Sequence, residues 1–298
     1  MTSINTNNSA MAALQTLRNV NSNLSSTQSA VSSGLRVGKA SDNAAYWSIA
    51  TTMKSDNSAL SAVSDALGMG AAKVDTAYTA VQSSIDVVSE IKAKLVAATE
   101  DGVDKGKIND EITQLQKQLT SIASSASFNG ENWVSSTSGS GKTMSVVSSF
   151  IRDSSGGVSV STSGYTSTAT DMLFTGTAAD GILDRTTGTS GKAISTFTIG
   201  STTSKGDIDK LITDTESALK DMTSLGSKLG SLQKGIDLQS DFVSKLSDSI
   251  DSGVGRLVDA DMEEESSKLS ALQTQQQLAI QSLSIANSSS QNILSLFR

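Results

Sequence analysis

Residues 43–99 decide the fold, and they read NAAYWSIATTMKSDNSALSAVSDALGMGAAKVDTAYTAVQSSIDVVSEIKAKLVAAT. Apolar residues recur in this stretch every seven positions, at Met53, Leu60, Leu67, Val74, Val81, Val88 and Leu95. Seven residues make almost two turns of an α-helix, so these side chains lie on one line if the stretch is helical. A continuous helix of this length spans roughly 80 Å. Such a helix cannot bury its apolar line without partners.

The same spacing returns near the other end of the chain, between Asp207 and Leu257. One column runs from Ile208 to Leu257 in steps of seven, and a second column begins three residues later at Leu211. Two such columns are typical of a coiled coil. The residues predicted to form the core of these long helices are Met53, Leu60, Leu67, Val74, Val81, Val88, Leu95, Leu229, Leu232, Ile236 and Val243.

A shorter helix is predicted between the two long ones. Apolar residues from Ile108 to Ile122 repeat at three- and four-residue spacing, and Asn109 and Asp110 suggest where the helix begins. It follows a turn after the first long helix, so we expect it to run antiparallel to that helix. Asp42 or Ser41 is the expected cap of the first long helix.

The two ends of the chain carry weaker seams. One column holds Leu14, Asn21, Gln28 and Leu35, and polar residues also interrupt the column from Leu269 to Phe297. Polar side chains at seam positions lower the stability of a coiled coil, so neither end is expected to be stable alone. The residues predicted to form this terminal coiled coil and to carry polymerisation are Leu14, Leu17, Leu24, Val31, Leu35, Leu269, Leu272, Leu283, Ile293, Leu294, Leu296 and Phe297.

Apolar residues also lie off the terminal seams. They are Leu278, Ile280, Ile285 and Leu294, which a pair of helices would leave uncovered. Extra apolar faces at the ends of the chain favour neighbours from other copies of it. Gly34 and Gly38 predict that the chain turns or extends before the first long helix, and the second long helix is expected to loosen at Gly253 and Gly255.

The middle of the chain lacks helical periodicity. Alternating residues 144–150 and 158–162 flank a turn at Asp153–Gly157, which predicts a β-hairpin, and a weaker strand is predicted over 193–199. The fold class predicted from all these patterns is mainly α: a long antiparallel helical bundle or coiled coil with paired termini and a small central region that contains a β-hairpin.

The composition excludes several classes of function. The 298 residues include no histidine, cysteine or proline, so a Ser-His-Asp triad, a thiol nucleophile and the usual zinc sites are absent. The formal net charge of −7 gives no footprint for nucleic acid. No stretch approaches 18 consecutive apolar residues, so no membrane span is predicted. We expect a protein that is not an enzyme and has no cofactor.

Two motifs allow a functional and a simpler interpretation. Residues 138–143 end in Gly-Lys-Thr like a phosphate-binding loop, but Ser136 stands at the position of the first glycine, which favours a flexible turn. The carboxylates of residues 263–265, together with Asp259 and Asp261, offer a cation site. Their consecutive spacing favours the electrostatics of a helix start instead.

Several segments resemble bacterial flagellin, the filament subunit. They are residues 4–7 (INTN), residues 32–45 (SSGLRVGKASDNAA), residues 128–130 (FNG) and the last eight residues, QNILSLFR. The similarity covers roughly residues 1–135 and 207–298. The Ala45-Tyr46-Trp47 sequence and the short Ser/Thr-rich middle resemble the α-proteobacterial, rhizobial branch.

This resemblance implies a secreted structural protein that self-assembles into the extracellular filament for swimming motility. It implies export in the unfolded state by the flagellar type III apparatus, and as partners other flagellin subunits in a homopolymer or mixed filament, an export chaperone, and cap and junction proteins. The implied domains are a terminal coiled coil of 1–42 with 258–298, a helical rod of 43–162 with 207–257, and a small variable outer region, 163–206.

Two alternatives remain open at this point. A hook-filament junction protein resembles flagellin at both ends, and failure of the purified chain to polymerise on filament seeds would favour it. A secreted coiled-coil adhesin would use the Ser/Thr-rich middle to bind a surface, so it would lose binding when residues 163–206 are deleted.

Overall fold

A computed structural model describes residues 6–136, 142–153, 155–176 and 180–296, with side chains described up to residue 288. The chain divides into a terminal unit, residues 1–58 with 248–298, and a central unit, residues 59–247. The helices are α1 (Asn8–Ser33), α2 (Ala44–Ala97), α3 (Lys105–Ser125), α4 (Lys205–Val258) and α5 (Met262–Leu296). The strands are β1 (Ser127–Phe128), β2 (Glu131–Asn132), β3 (Thr143–Arg152) and β4 (Val158–Thr166). The predicted fold class, mainly α with paired termini and a small β-hairpin region, is confirmed.

The central unit is built on the heptad lines of α2 and α4. Every predicted core residue of α2 from Leu60 to Leu95 is buried, and so are Leu229, Ile236 and Val243 of α4, whereas Leu232 is half-buried. Met53 is also half-buried and belongs to the terminal unit, where it packs on a separate cluster. In the central unit the seven-residue spacing therefore marks side chains that are removed from water.

Helix α3 begins earlier than the sequence predicts. Asp104 caps it, because its side chain accepts hydrogen bonds from the backbone N–H groups of Gly106 and Lys107. The predicted start near Asn109 and Asp110 is therefore wrong by one turn. Lys94 of α2 forms a salt bridge of 2.6 Å with Glu111 of α3.

Two antiparallel hairpins follow α3. The two-residue strands β1 and β2 are joined at Asn129-Gly130, and both turn residues have positive φ angles, 51° and 80°. The predicted hairpin at Met144–Thr162 is confirmed as β3 and β4, with a bulge between Val147 and Ser149. β4 extends to Thr166, so it crosses the boundary drawn at residue 163 between rod and outer region.

A glycine lets the β3–β4 hairpin contact α2. Met144 and Val146 are the buried side chains of β3, and a Cβ atom on Gly70 of α2 would lie only 2.1 Å from Cγ1 of Val146. Position 70 therefore has no room for a side chain as long as Val146 keeps its place. The neighbouring Gly68 faces open space.

Residues 180–204 fold without regular secondary structure, so the strand predicted over 193–199 is wrong. Side chains of the helices hold this segment by bonding its backbone. Buried Gln116 of α3 donates from Nε2 to the carbonyl oxygens of Ile194 and Phe197, at 2.9 and 3.0 Å. Asp214 of α4 accepts from the backbone N–H of Thr189 and of Ser190, at 2.7 and 2.8 Å.

An ionic cluster joins the end of the β3–β4 hairpin to α4. Asp171 accepts a 2.7 Å hydrogen bond from Lys228 Nζ and a 2.5 Å bond from the hydroxyl of Tyr165, and Thr168 also donates to it. Burial alone raises the pKa of Asp171, but these hydrogen bonds outweigh burial and hold its pKa well below the usual range. The cluster is therefore charged at neutral pH.

The terminal unit contains its own apolar cluster. Val37, Ala50, Val254 and Val258 are buried in it, and Met53 packs against them. The helix that is expected to loosen at Gly253 and Gly255 continues through both glycines, and α4 ends at Val258. The cap of α2 is Asn43, whose side chain accepts from the N–H of Tyr46, and not Ser41 or Asp42.

Candidate assembly surface

The two ends of the chain meet in one pair of helices, α1 and α5. Asn7 caps α1 by accepting from the N–H of Ala10 at 3.0 Å, and its side-chain amide donates to the carbonyl of Ala286 in α5 at 2.9 Å. Gly34 ends α1 in the left-handed conformation, with φ of 72°. Local capping therefore fixes where α1 begins and ends, and one cap also contacts α5.

The connections that leave the two helices pair with each other. Leu35 and Asp259 form an antiparallel bridge. The N–H of Arg36 donates to the carbonyl of Val258 at 2.7 Å, and the N–H of Ala260 donates to the carbonyl of Gly34 at 2.9 Å. Backbone hydrogen bonds thus hold the end of α1 beside the start of α5.

The buried seam between α1 and α5 is narrow. Val20, Leu24 and Leu272 form its buried core and Leu269 packs against them. The predicted column through Asn21 and Gln28 is wrong, because both residues are exposed and α1 buries Val20 and Thr27 in their place. The seam keeps the heptad spacing, because Leu17 and Leu24 are seven residues apart and so are Val20 and Thr27. The column through Leu24 is where the sequence predicts it, and its partner column lies one residue earlier than predicted.

Most of the other predicted terminal residues lie at the margin of this seam. Leu17, Val31, Leu35 and Leu283 are half-buried, and Leu14 is exposed. The structure describes only the backbone of Ile293, Leu294 and Leu296, within α5, and Phe297 lies outside the described residues. Asn21, now outside the seam, accepts a 2.7 Å hydrogen bond from Nε2 of Gln276 in α5.

Two grooves run along the α1–α5 pair, and none of the side chains that the structure describes fills them. The larger has a volume of about 1020 Å³ and is lined by Thr6, Asn7, Ala10, Met11, Leu14, Gln15, Arg18, Ile280, Leu283, Ser284 and Asn287. The smaller, of about 290 Å³, is lined by Ala13, Thr16, Val20, Gln275, Leu278, Ala279 and Ser282. We call the larger one the terminal groove.

Large apolar side chains project from the same helices. Met11 is 62% exposed, and Leu278, Ile280 and Ile285 of α5 are 58%, 53% and 69% exposed. Leu278, Ile280 and Ile285 are three of the residues that the sequence indicated as uncovered by a helix pair. A surface of this kind beside open grooves is typical of a protein interaction site.

Beyond the first turns of α5, the helix pair is almost free of charge. Residues 2–35 contain Arg18 as their single charged residue, and residues 269–297 contain none. Like charges that face each other across an interface cost roughly several kcal/mol of binding free energy. Identical copies can bring these uncharged faces together without that cost. The central unit differs, since ion pairs such as Lys73–Glu131 and Arg185–Asp221 lie on its surface.

The acidic residues at the start of α5 serve the helix. Asp261 accepts hydrogen bonds from the N–H groups of Glu263 and Glu264, at 3.0 and 3.2 Å. In the part of the chain that the structure describes, no group of His, Cys, Asp or Glu side chains has the arrangement of a metal site. Residues 137–141, which include most of the phosphate-loop-like motif, lie outside the described residues. Among the described helices, none is long and apolar enough to cross a membrane.

The terminal helices form a pair with open grooves, and long helices connect this pair to a small β-containing region. This arrangement defines a class of self-associating structural protein. The comparisons with known proteins identify which one. The model of the bacterial flagellin N-terminal helical region matches residues 4–138, and that of the C-terminal helical region matches residues 212–297. The chain therefore belongs to the bacterial flagellin family, a family of structural proteins whose members polymerise into the extracellular flagellar filament.

The curated relatives are of the rhizobial type. Flagellin A of Rhizobium meliloti (strain 1021) is 51% identical over an alignment of 394 positions that covers all of both chains. Flagellin C of the same strain is 52% identical over 320 positions, and the flagellin of Brucella melitensis biotype 1 is 47% identical over 302, each with full coverage of both chains. The similarity to rhizobial flagellins expected from the sequence is confirmed.

Proposed function

We propose that this chain assembles with other flagellin subunits through the α1–α5 pair, and that the terminal helices of neighbouring copies fill the terminal groove. The observation that carries this proposal is the groove itself, about 1020 Å³ between α1 and α5, with Met11 and Ile280 exposed at its walls. Burial of these side chains by a second copy contributes roughly 25 cal/mol per Å² of apolar area.

The sites and domains of the chain follow from this proposal. The terminal coiled coil, residues 1–42 with 258–298, makes the polymer contacts; residues 43–162 with 207–257 form the helical rod; and residues 163–206 form the outer region. The chain has no enzymatic role in this view, and it acts by packing against its neighbours.

We further propose that an export chaperone binds the chain and that the flagellar type III apparatus exports it unfolded. Outside the cell, the chain joins the filament with the help of cap and junction proteins, and the filament drives swimming motility. The composition supports a route that requires refolding outside the cell. Without cysteine and proline, refolding includes neither disulfide exchange nor prolyl isomerisation, two steps that take seconds to hours. A chain delivered unfolded can therefore reach its native state quickly.

The test is seeded polymerisation with matched surface substitutions. Ile280→Asp puts a charge at the wall of the terminal groove, whereas Val103→Asp puts the same charge on the central unit, where Val103 is 40% exposed. We expect both variants to keep the helical content and thermal unfolding of the wild type, because both sites are exposed. Only Ile280→Asp should fail to extend short filament seeds.

Removing residues 283–298 gives the stronger version of the test. The shortened chain should retain a folded central unit by circular dichroism and should not polymerise. Normal filaments from either the shortened chain or Ile280→Asp would refute the proposed role of the groove. A wild-type chain that does not extend seeds would favour the junction protein.

A further inference from the structure

Six of the eight methionines of this chain lie in two different surroundings. Met144, Met172 and Met222 are buried, whereas Met11, Met69 and Met262 are 62%, 57% and 43% exposed. Among these six, Met11 alone lines the terminal groove, where its neighbours include Leu14, Ile280 and Leu283. Met11 therefore places an accessible thioether in the groove that the proposed function assigns to assembly, whereas Met262 begins α5 and does not line that groove.

The thioether of an exposed methionine reacts with hydrogen peroxide. The sulfur attacks one peroxide oxygen, the O–O bond breaks, and the departing hydroxide takes up a proton to form water. The sulfur is oxidised by two electrons to a sulfoxide, and the peroxide is reduced. The product replaces a flexible apolar side chain with a polar, chiral one that accepts hydrogen bonds.

We propose that Met11 is a peroxide-modification site that controls subunit addition, and that its sulfoxide weakens the seating of a second copy in the terminal groove. The inference rests on the proposed function of that groove. Six of the eleven lining residues, Thr6, Asn7, Gln15, Arg18, Ser284 and Asn287, carry side-chain donors, whereas Leu14, Ile280 and Leu283 carry none. A sulfoxide that a neighbour presses against these three apolar side chains would be buried as a polar group without a partner. Oxidation of Met69, which lies in the central unit, has no such consequence.

The experiment compares the wild type with three variants, Met11→Leu, Met69→Leu and Met262→Leu. Leucine conserves volume and apolar character, so each variant should fold. Each variant is compared with its own critical concentration before treatment, because Met11 itself lines the groove. Monomers are treated with hydrogen peroxide, the peroxide is destroyed with catalase, and the critical concentration for seeded growth is measured by sedimentation. Peptide mass spectrometry identifies which methionines gain one oxygen.

Oxidation of the wild type should raise the critical concentration about tenfold, which corresponds to about 1.4 kcal/mol for each added subunit. The Met69→Leu and Met262→Leu variants should respond like the wild type, and Met11→Leu should stay within about twofold of its untreated value. The enzymes MsrA and MsrB, which reduce the two sulfoxide epimers, should restore assembly of the wild type. In filaments treated with peroxide, Met11 should be oxidised more slowly than Met69.

Two results would overturn the inference: equal loss of assembly by oxidised Met11→Leu and oxidised wild type, or normal assembly of wild type in which Met11 is fully converted to the sulfoxide. Failure of the untreated wild type to extend seeds is a different result. It would reject the proposed function itself, whatever the state of Met11.

Discussion

The terminal helix pair and the long helices of the central unit show the same seven-residue spacing and opposite surroundings. In the central unit, Val74, Val88 and Leu95 have no exposed surface. In the terminal unit, the α1–α5 seam buries Val20, Leu24 and Leu272, while Met11, Ile280 and Ile285 face outward beside open grooves. Heptad spacing shows that an apolar side chain has to pack against another helix. Only its burial in the folded chain shows whether that helix belongs to the same chain.

The largest expected effect tests the buried side of this comparison. Val88→Asp places a charge where the side chain is 0% exposed, and the variant should lose about 4 kcal/mol of unfolding free energy or fail to fold. The matched control is Val96→Asp on the same helix, at a position 52% exposed, which should change stability by less than about 0.5 kcal/mol. Urea unfolding followed by circular dichroism measures both. Similar losses in the two variants would show that α2 is not buried on one side only.

A pair of glycine substitutions should act in opposite directions. Gly70→Ala forces a Cβ into Val146 and should cost about 1–3 kcal/mol, since the hairpin must move away from α2. Gly68→Ala meets nothing within 4 Å and should stabilise α2 by up to about 1 kcal/mol through helix propensity. Thermal unfolding gives the sign of each change. Val146→Ala combined with Gly70→Ala should recover part of the loss, and an absence of recovery would contradict the contact.

Asp171→Asn should cost about 1–2 kcal/mol at pH 7, because it removes the charge that accepts from Lys228, Tyr165 and Thr168. The pKa of Asp171 is lowered in the folded protein, so its contribution is present above the unfolded pKa of about 3.9. It is lost as the pH falls through the lower, folded value.

The difference in unfolding free energy between wild type and Asp171→Asn should therefore be constant from about pH 8 to 5 and shrink below about pH 4. Urea titrations at pH 7 and pH 3 measure it. The exposed Asp101 provides the control, because Asp101→Asn should change stability very little at either pH. A difference that grows in acid would reject the ionic cluster as its source.

The smallest expected effect on stability distinguishes the α1–α5 seam that is observed from the seam that the sequence predicts. Asn21→Ala removes an exposed hydrogen bond to Gln276 and should cost less than about 0.5 kcal/mol. Val20→Ala removes two buried methyl groups and should cost about 1.5 kcal/mol of local stability. Hydrogen exchange of the α1 amides reports both. If Asn21→Ala opened α1 more than Val20→Ala, the column through Asn21 would be the right one.

The long helices and the β3–β4 hairpin were predictable because local patterns determine them. The seven-residue spacing from Leu60 to Leu95 predicts a buried helix face from helical geometry alone. Alternating apolar residues on both sides of a Gly-rich turn predict the hairpin from strand geometry alone. Residues 180–204 have no period. Their path depends on Gln116 and Asp214, which are distant in sequence and bond their backbone directly, so no sequence window contains the information.

The candidate assembly surface was predictable in part. The apolar residues off the seam, such as Ile280 and Ile285, could be identified from their spacing, because a two-helix pairing covers only one stripe. One column of the α1 seam, through Leu24, was predicted correctly, and the other was placed one residue late, at Asn21 instead of Val20, because residues three and four positions apart lie on the same helix face. The groove and the place of Met11 in it depend on how α1 and α5 lie together, which the spacing of either helix alone does not contain.

The contact between Asn7 and Ala286 joins residues 279 positions apart. The α1–α5 pair therefore requires both ends of the chain to be present. The proposed assembly groove takes its lining from α1 and from α5, so a chain that lacks either end presents only one of its two walls.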